Sequence, residues 1–162
     1  MKKKGVVILL VVATIISVIT IIISIWTSKR KQFIKPEFDD NANPISNNEV
    51  DKKLQYAEIN VEEGYIVGIC NNLILDKNDN TLIYFTSLKD NDVYLKLRIY
   101  DKKENILKET GLIKPGEQIE KIKIENLKEE KDVIIKIMSY DPETYYSRGT
   151  VSLNTKIKIG DI

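Results

Sequence analysis

From Gly5 to Trp26 the chain runs through about 22 uncharged, mostly aliphatic residues, with Lys2, Lys3 and Lys4 before them and Lys29, Arg30 and Lys31 after. As a helix rising ~1.5 Å per residue, the run spans roughly 33 Å, enough for a hydrocarbon core. Export signals that are cut away have shorter apolar regions, of about 7–15 residues, and end in a small-x-small site. Here the exit reads Ile23-Ser24-Ile25-Trp26-Thr27-Ser28, in which Ser24 and Trp26 make a poor cleavage pair, and no cysteine stands near for lipoprotein processing. The expectation is a retained signal-anchor helix over residues 5–27, with cleavage as the alternative. Trp26 suits the membrane–water interface, and Lys29, Arg30 and Lys31 complete the interfacial set.

Charge alone does not orient this segment, because three basic residues flank it on each side. A short tail, residues 1–4, kept in the cytoplasm with the rest exported is the common signal-anchor arrangement, and it is the expectation here. Thr14, Ser17, Thr20 and Ser24 give the helix a stripe of small residues. Such a stripe lets helices approach closely; the plainer reading is scattered Ser and Thr that lipid tolerates.

Residues 28–55 read as a linker: the stretch from Gln32 to Gln55 holds two prolines and many Asn and Asp, which is turn chemistry. Extended, about 20 such residues reach at most ~70 Å.

Beyond Tyr56 the pattern turns to strands. In "VYLKLRIY", Val93, Leu95, Leu97 and Ile99 share one face while Tyr94, Lys96, Arg98 and Tyr100 share the other. This period of two marks a half-buried strand. "TVSLNTKI" alternates in the same way, with Val151, Leu153, Thr155 and Ile157 together. "DVIIKIMSY" places Val133, Ile135 and Ile137 on one face and Ile134, Lys136, Met138 and Tyr140 on a second face that is too apolar to be fully wet. Further strands are expected over 57–61, 64–69, 72–76, 81–88, 105–110 and 117–124. They are punctuated by turn signals at Glu63-Gly64, Asp79-Asn80, Asp90-Asn91, Pro115-Gly116 and Asp141-Pro142. The fold class is therefore all-β: an antiparallel β-sandwich over residues 56–162, preceded by a single transmembrane helix.

Composition narrows the function. With 25 Lys and Arg against 24 Asp and Glu, the chain lacks the basic excess of a nucleic-acid binder. It has no histidine, which removes the commonest general base and transition-metal ligand. One cysteine, Cys70, permits no intrachain disulfide. The expectation is a chain that is not an enzyme and has no cofactor and no metal.

Two stretches, "LKLRIYDKKENILKETGLIKPGEQIEKIKI" and "KIMSYDPETYYSRGTVSLNTKI", resemble a group of small Gram-positive (Firmicutes) membrane-anchored proteins. The resemblance covers roughly residues 56–158. It is carried by the run from Glu109 to Glu117 and by the run from Tyr140 to Thr155. It implies an immunoglobulin-like or fibronectin-like β-domain on the extracytoplasmic side of a single transmembrane segment. It also implies a small residue near Arg148, where this chain departs from the pattern. No established activity comes with it.

Candidate contacts follow from residue type. Tyr140, Tyr145 and Tyr146 cluster around Asp141-Pro142-Glu143. Tyrosine gives large contact area at low entropic cost, so the loop is a candidate partner surface. The competing reading is a tyrosine corner bonding back to the backbone. Lys114-Pro115-Gly116-Glu117 reads as a type II turn. Asp76 to Asn80, "DKNDN", gathers oxygen ligands but lacks the glycine and distal glutamate of a calcium loop. Cys70 reads as a small buried residue.

The functional expectation is a membrane-anchored, surface-displayed, non-catalytic interaction module, with an accessory subunit of a cell-envelope complex as its concrete variant. Its partners are the lipid bilayer through the helix and an unknown protein or cell-wall component. The alternatives are a pilin-like structural subunit and an envelope hydrolase.

Overall fold

The computed structural model describes residues 5, 12, 14–20, 33–46, 50–62 and 64–160. It divides into two units, Met1–Lys35 and Pro36–Ile162. In the first unit, residues 14–20 are helical. The Thr20 hydroxyl donates back to the Ile16 carbonyl at 2.7 Å, as threonines in apolar helices do. Among the described residues no helix is long and apolar enough to cross a membrane. Most of the expected anchor, with Trp26, Lys29, Arg30 and Lys31, lies outside the described residues.

The second unit is built from strands: β1 (Asn43–Pro44), β2 (Tyr56–Val61), β3 (Tyr65–Cys70), β4 (Asn72–Leu75), β5 (Asn80–Ser87), β6 (Tyr94–Asp101), β7 (Ile106–Glu109), β8 (Glu117–Lys123), β9 (Lys131–Tyr140) and β10 (Ser147–Ile159). They join in one curled sheet in the order β1-β8-β5-β4-β10-β9-β6-β7, with β3 also pairing β5 and β2 pairing β3. Every strand expected from the sequence is present. The all-β class holds, and the alternation that predicted it is visible in the burial. Val93, Leu95, Leu97 and Ile99 of the β6 segment and Val133, Ile135 and Ile137 of β9 are buried. The intervening residues of both strands are half-buried. These side chains meet Val67, Ile69, Leu73, Ile83, Phe85 and Ile119 in one apolar core. Each such side chain contributes roughly 1.5–3 kcal/mol by leaving water.

Two features depart from the expectation. The first is a parallel pairing. β10, 13 residues long, pairs antiparallel with β9 and then runs parallel to β4, Lys156 opposite Asn72 through Ile159 opposite Leu75. The β9–β10 hairpin fixes the direction of β10, and its tail, Lys156 to Ile159 with the buried Ile157, closes against β4.

The second concerns the expected linker 28–55, whose last part belongs to the β-unit. Phe38 bridges Leu112 in parallel. The Leu112 N–H donates to the Glu37 carbonyl at 2.8 Å and the Asp39 N–H to the Leu112 carbonyl at 2.9 Å. Asn43 and Pro44 pair with Gln118 and Glu117. Further on, Leu54 is buried to 1% exposure, and the Lys53 carbonyl accepts from Asn72 Nδ2 at 2.7 Å. Asn, Asp and Pro here serve as bends in a strap laid along the sheet: Asp39 Oδ1 accepts from the Asn41 N–H at 2.9 Å, an Asx turn.

Candidate functional site

The loop between β9 and β10 is organised by Asp141. Its Oδ1 accepts from the Glu143 N–H at 3.1 Å, the Thr144 N–H at 2.8 Å and the Thr144 hydroxyl at 2.9 Å. Those bonds, the Thr144 backbone one first, hold the Asp141 carboxyl below its ordinary range. The Asp141 N–H donates to the Tyr146 carbonyl and the Tyr145 N–H to the Asp141 carbonyl, both at 2.9 Å. This tight turn forces Tyr145 to a φ of +60°, a left-handed conformation that a bulky residue rarely adopts.

The three loop tyrosines differ in exposure and in partners. Tyr145 turns back, its ring 5.9 Å from that of Tyr94. Tyr140 stands opposite Tyr94 in the β6–β9 register, its hydroxyl 3.7 Å from Met138 Sδ. Tyr146 points outward, 69% exposed. Tyr146 is thus the most exposed of the three, while Tyr140 and Tyr145 lie half-buried.

Sequence reasoning missed the group around which they gather. Tyr94 meets Phe38 edge to face at a centroid distance of 5.1 Å, and Lys114 Nζ lies 4.8 Å above the Phe38 ring. Phe38, Tyr94 and Tyr145 thus form an aromatic row with a cation at one end. Tyr94 was visible as the first residue on the polar side of β6. Nothing in the sequence placed Phe38 beside it.

The row continues into the outer face of β6 and β9. Glu109 of β7 is bridged by both Lys96 and Arg98. Burial pushes the Glu109 carboxyl up, but the hydrogen bonds from Lys96 and Arg98 outweigh it, and the net shift is downward. Arg98 stands directly opposite Lys136, a like-charge cross-strand pair that costs stability. The two avoid each other sideways: Arg98 reaches Glu109, and Lys136 Nζ sits 5.0 Å over the Tyr100 ring.

The remaining candidates have structural explanations. In the β4–β5 hairpin, Asp76 Oδ1 accepts from the Asn78 and Asn80 N–H groups at 2.8 and 2.9 Å, so this carboxylate caps a turn. At the 114–117 turn, the Glu117 N–H donates to the Lys114 carbonyl at 3.1 Å, and Gly116 takes the positive φ of +82° that the turn requires. Cys70 is fully buried, and burial pushes its thiol up to about 12, far from a reactive thiolate. A polar cleft of about 370 Å³ lies between the strap and β8, lined among others by Asp39, Asn43, Lys108, Glu120 and Lys123.

No family model matches the chain, and no curated protein matches it. Among solved structures, the chain is similar to the crystal structure of CopC from Methylosinus trichosporium OB3b. The identity is 10% and the TM-score 0.33, over 64% of this chain and 92% of that one.

Proposed function

We propose that this chain is a membrane-tethered interaction module. A single helix over residues 5–27 holds an immunoglobulin-like β-sandwich on the extracytoplasmic side of a cell membrane of the Gram-positive kind. There the domain binds a protein or cell-wall partner without catalysis, as an accessory subunit of an envelope complex. The observation that carries this reading is the uncharged run from Gly5 to Trp26, set immediately before a β-unit with its own core. The described part of that run fits: residues 14–20 are helical, and Ile15, Ile16, Val18 and Ile19 each present about half their surface outward, as side chains bathed in lipid do. The lack of histidine and the inert burial of Cys70 favour binding over chemistry.

Membrane fractionation tests the tether. The full chain is expected to remain in the pellet after an alkaline carbonate wash and to need detergent for release. A variant lacking residues 5–26 is expected in the soluble fraction. Full-length chain that dissolves without detergent contradicts the reading.

A further inference from the structure

The outer face of β6 and β9 combines three tyrosines with an excess of cations. Its outward residues, all half-buried, are Tyr94, Lys96, Arg98 and Tyr100 on β6 and Asp132, Ile134, Lys136, Met138 and Tyr140 on β9. Lys96 and Arg98 bridge the carboxylate of Glu109, and Lys136 stands opposite Arg98 with its ammonium over the Tyr100 ring. The surrounding unit is acidic: from residue 36 onward there are 18 Lys and Arg against 24 Asp and Glu, a net charge of −6. A cationic, aromatic face on a body of net negative charge is an orienting device, because an anionic surface attracts that face while repelling the body as a whole. It also has a cost in stability, since Arg98 and Lys136 are paired directly across the ladder.

The chain enters the β-unit at this face. Phe38, two residues beyond the start of the unit at Pro36, packs on Tyr94, the first residue of the β6 row. Ten residue steps separate Trp26 from Pro36 and reach at most about 35 Å even when extended. A domain so tethered has lipid headgroups within reach of its own entry point. Tyrosine, with lysine and arginine, is the side-chain set that settles at headgroup level.

We propose that the Tyr94–Tyr100 and Lys136–Tyr140 face docks on an anionic lipid surface, the bilayer that holds the chain's own anchor. This reading rests on the tether proposed above. It assigns the face a role in orienting the domain and leaves the sides turned away from the lipid for a macromolecular partner.

The test uses the full chain in lipid nanodiscs, either purely phosphatidylcholine or with a third of phosphatidylglycerol. Ser152, exposed and opposite Lys136, is replaced in Ser152→Cys and carries an environment-sensitive dye; the buried Cys70 does not compete for it. The expected result is a blue-shifted emission in the anionic discs alone, reversed by high salt. Lys136→Gln is expected to weaken docking about fivefold, the share of one basic residue near an anionic surface, and Lys136→Arg to preserve it. Identical emission in both discs, or a shift indifferent to Lys136→Gln, overturns the proposal and gives the face to a protein partner. Failure of the chain to co-elute with discs of either kind contradicts the tether itself, and is seen before any spectrum is taken.

Discussion

Gly111 and Asp39 are in backbone contact: the Gly111 N–H donates to Asp39 Oδ2 at 2.7 Å, and a β-carbon on Gly111 would stand 2.5 Å from the Asp39 nitrogen and 2.7 Å from its Cα. The strap from Pro36 to Ile45 can lie along the sheet only because residue 111 has no side chain. Gly111→Ala is therefore expected to cost ~1–3 kcal/mol, the usual range for overpacking. It is also expected to raise hydrogen exchange at the Asp39 and Ala42 amides, which are bonded within or by the strap. Urea melts and amide exchange check both; a variant with wild-type stability and protection would show that the strap does not need the close approach.

Thr81 gives a prediction of opposite sign. It is fully buried, and its hydroxyl has no hydrogen-bond partner among the described residues. Removing an unsatisfied buried polar atom while keeping the shape recovers its desolvation cost. Thr81→Val is expected to stabilise the protein by about 1 kcal/mol, read as a higher urea midpoint with an unchanged slope.

Acid sensitivity is expected to centre on Asp101. Its carboxylate accepts from Asn105 Nδ2 at 3.0 Å, from the Asn105 and Lys103 N–H groups at 2.9 Å each, and faces Lys131 Nζ at 3.3 Å. These contacts, the Asn105 side chain foremost, lower its pKa from 3.8 to about 2. A folded value below the unfolded one means that the stabilisation is complete above about pH 4 and lost as pH falls towards 2. Asp101→Asn is expected to flatten the stability profile in that window and to leave its shape unchanged at neutral pH. Thermal melts between pH 2 and 7 provide the measurement.

The loop tyrosines are expected to separate. Tyr145→Ala loses the ring contact with Tyr94 and should cost about 0.5–1.5 kcal/mol. Tyr146→Ala removes an exposed ring and should stay within about 0.5 kcal/mol of wild type. Equal effects on the denaturation midpoint would contradict this division between packing and surface.

Strands were legible where one face is dry and the other wet. The alternation from Val93 to Tyr100 and from Thr150 to Ile157 fixed period and direction of burial, and Pro115-Gly116 marked its turn through a positive φ that glycine accepts. The half-polar second face of β9 was legible too, since Ile134 and Met138 do not belong on a fully wet surface. The strap was not legible. Its pairing is two residues long at Asn43 and Pro44, and its Asn-, Asp- and Pro-rich composition is identical in kind to that of a free linker. The aromatic row was hidden for the same reason: Phe38 and Tyr94 are 56 positions apart, and only the strap's path joins them. The parallel return of β10 onto β4 depends on strand order, which local periodicity does not encode.

Protease shaving of intact protoplasts carrying the full chain with a C-terminal tag tests the central claim most directly. The expected result is loss of the tag from intact cells while an N-terminal fragment stays in the membrane. A tag that survives until the cells are lysed would put the β-unit on the inner side and contradict a domain displayed at the cell surface.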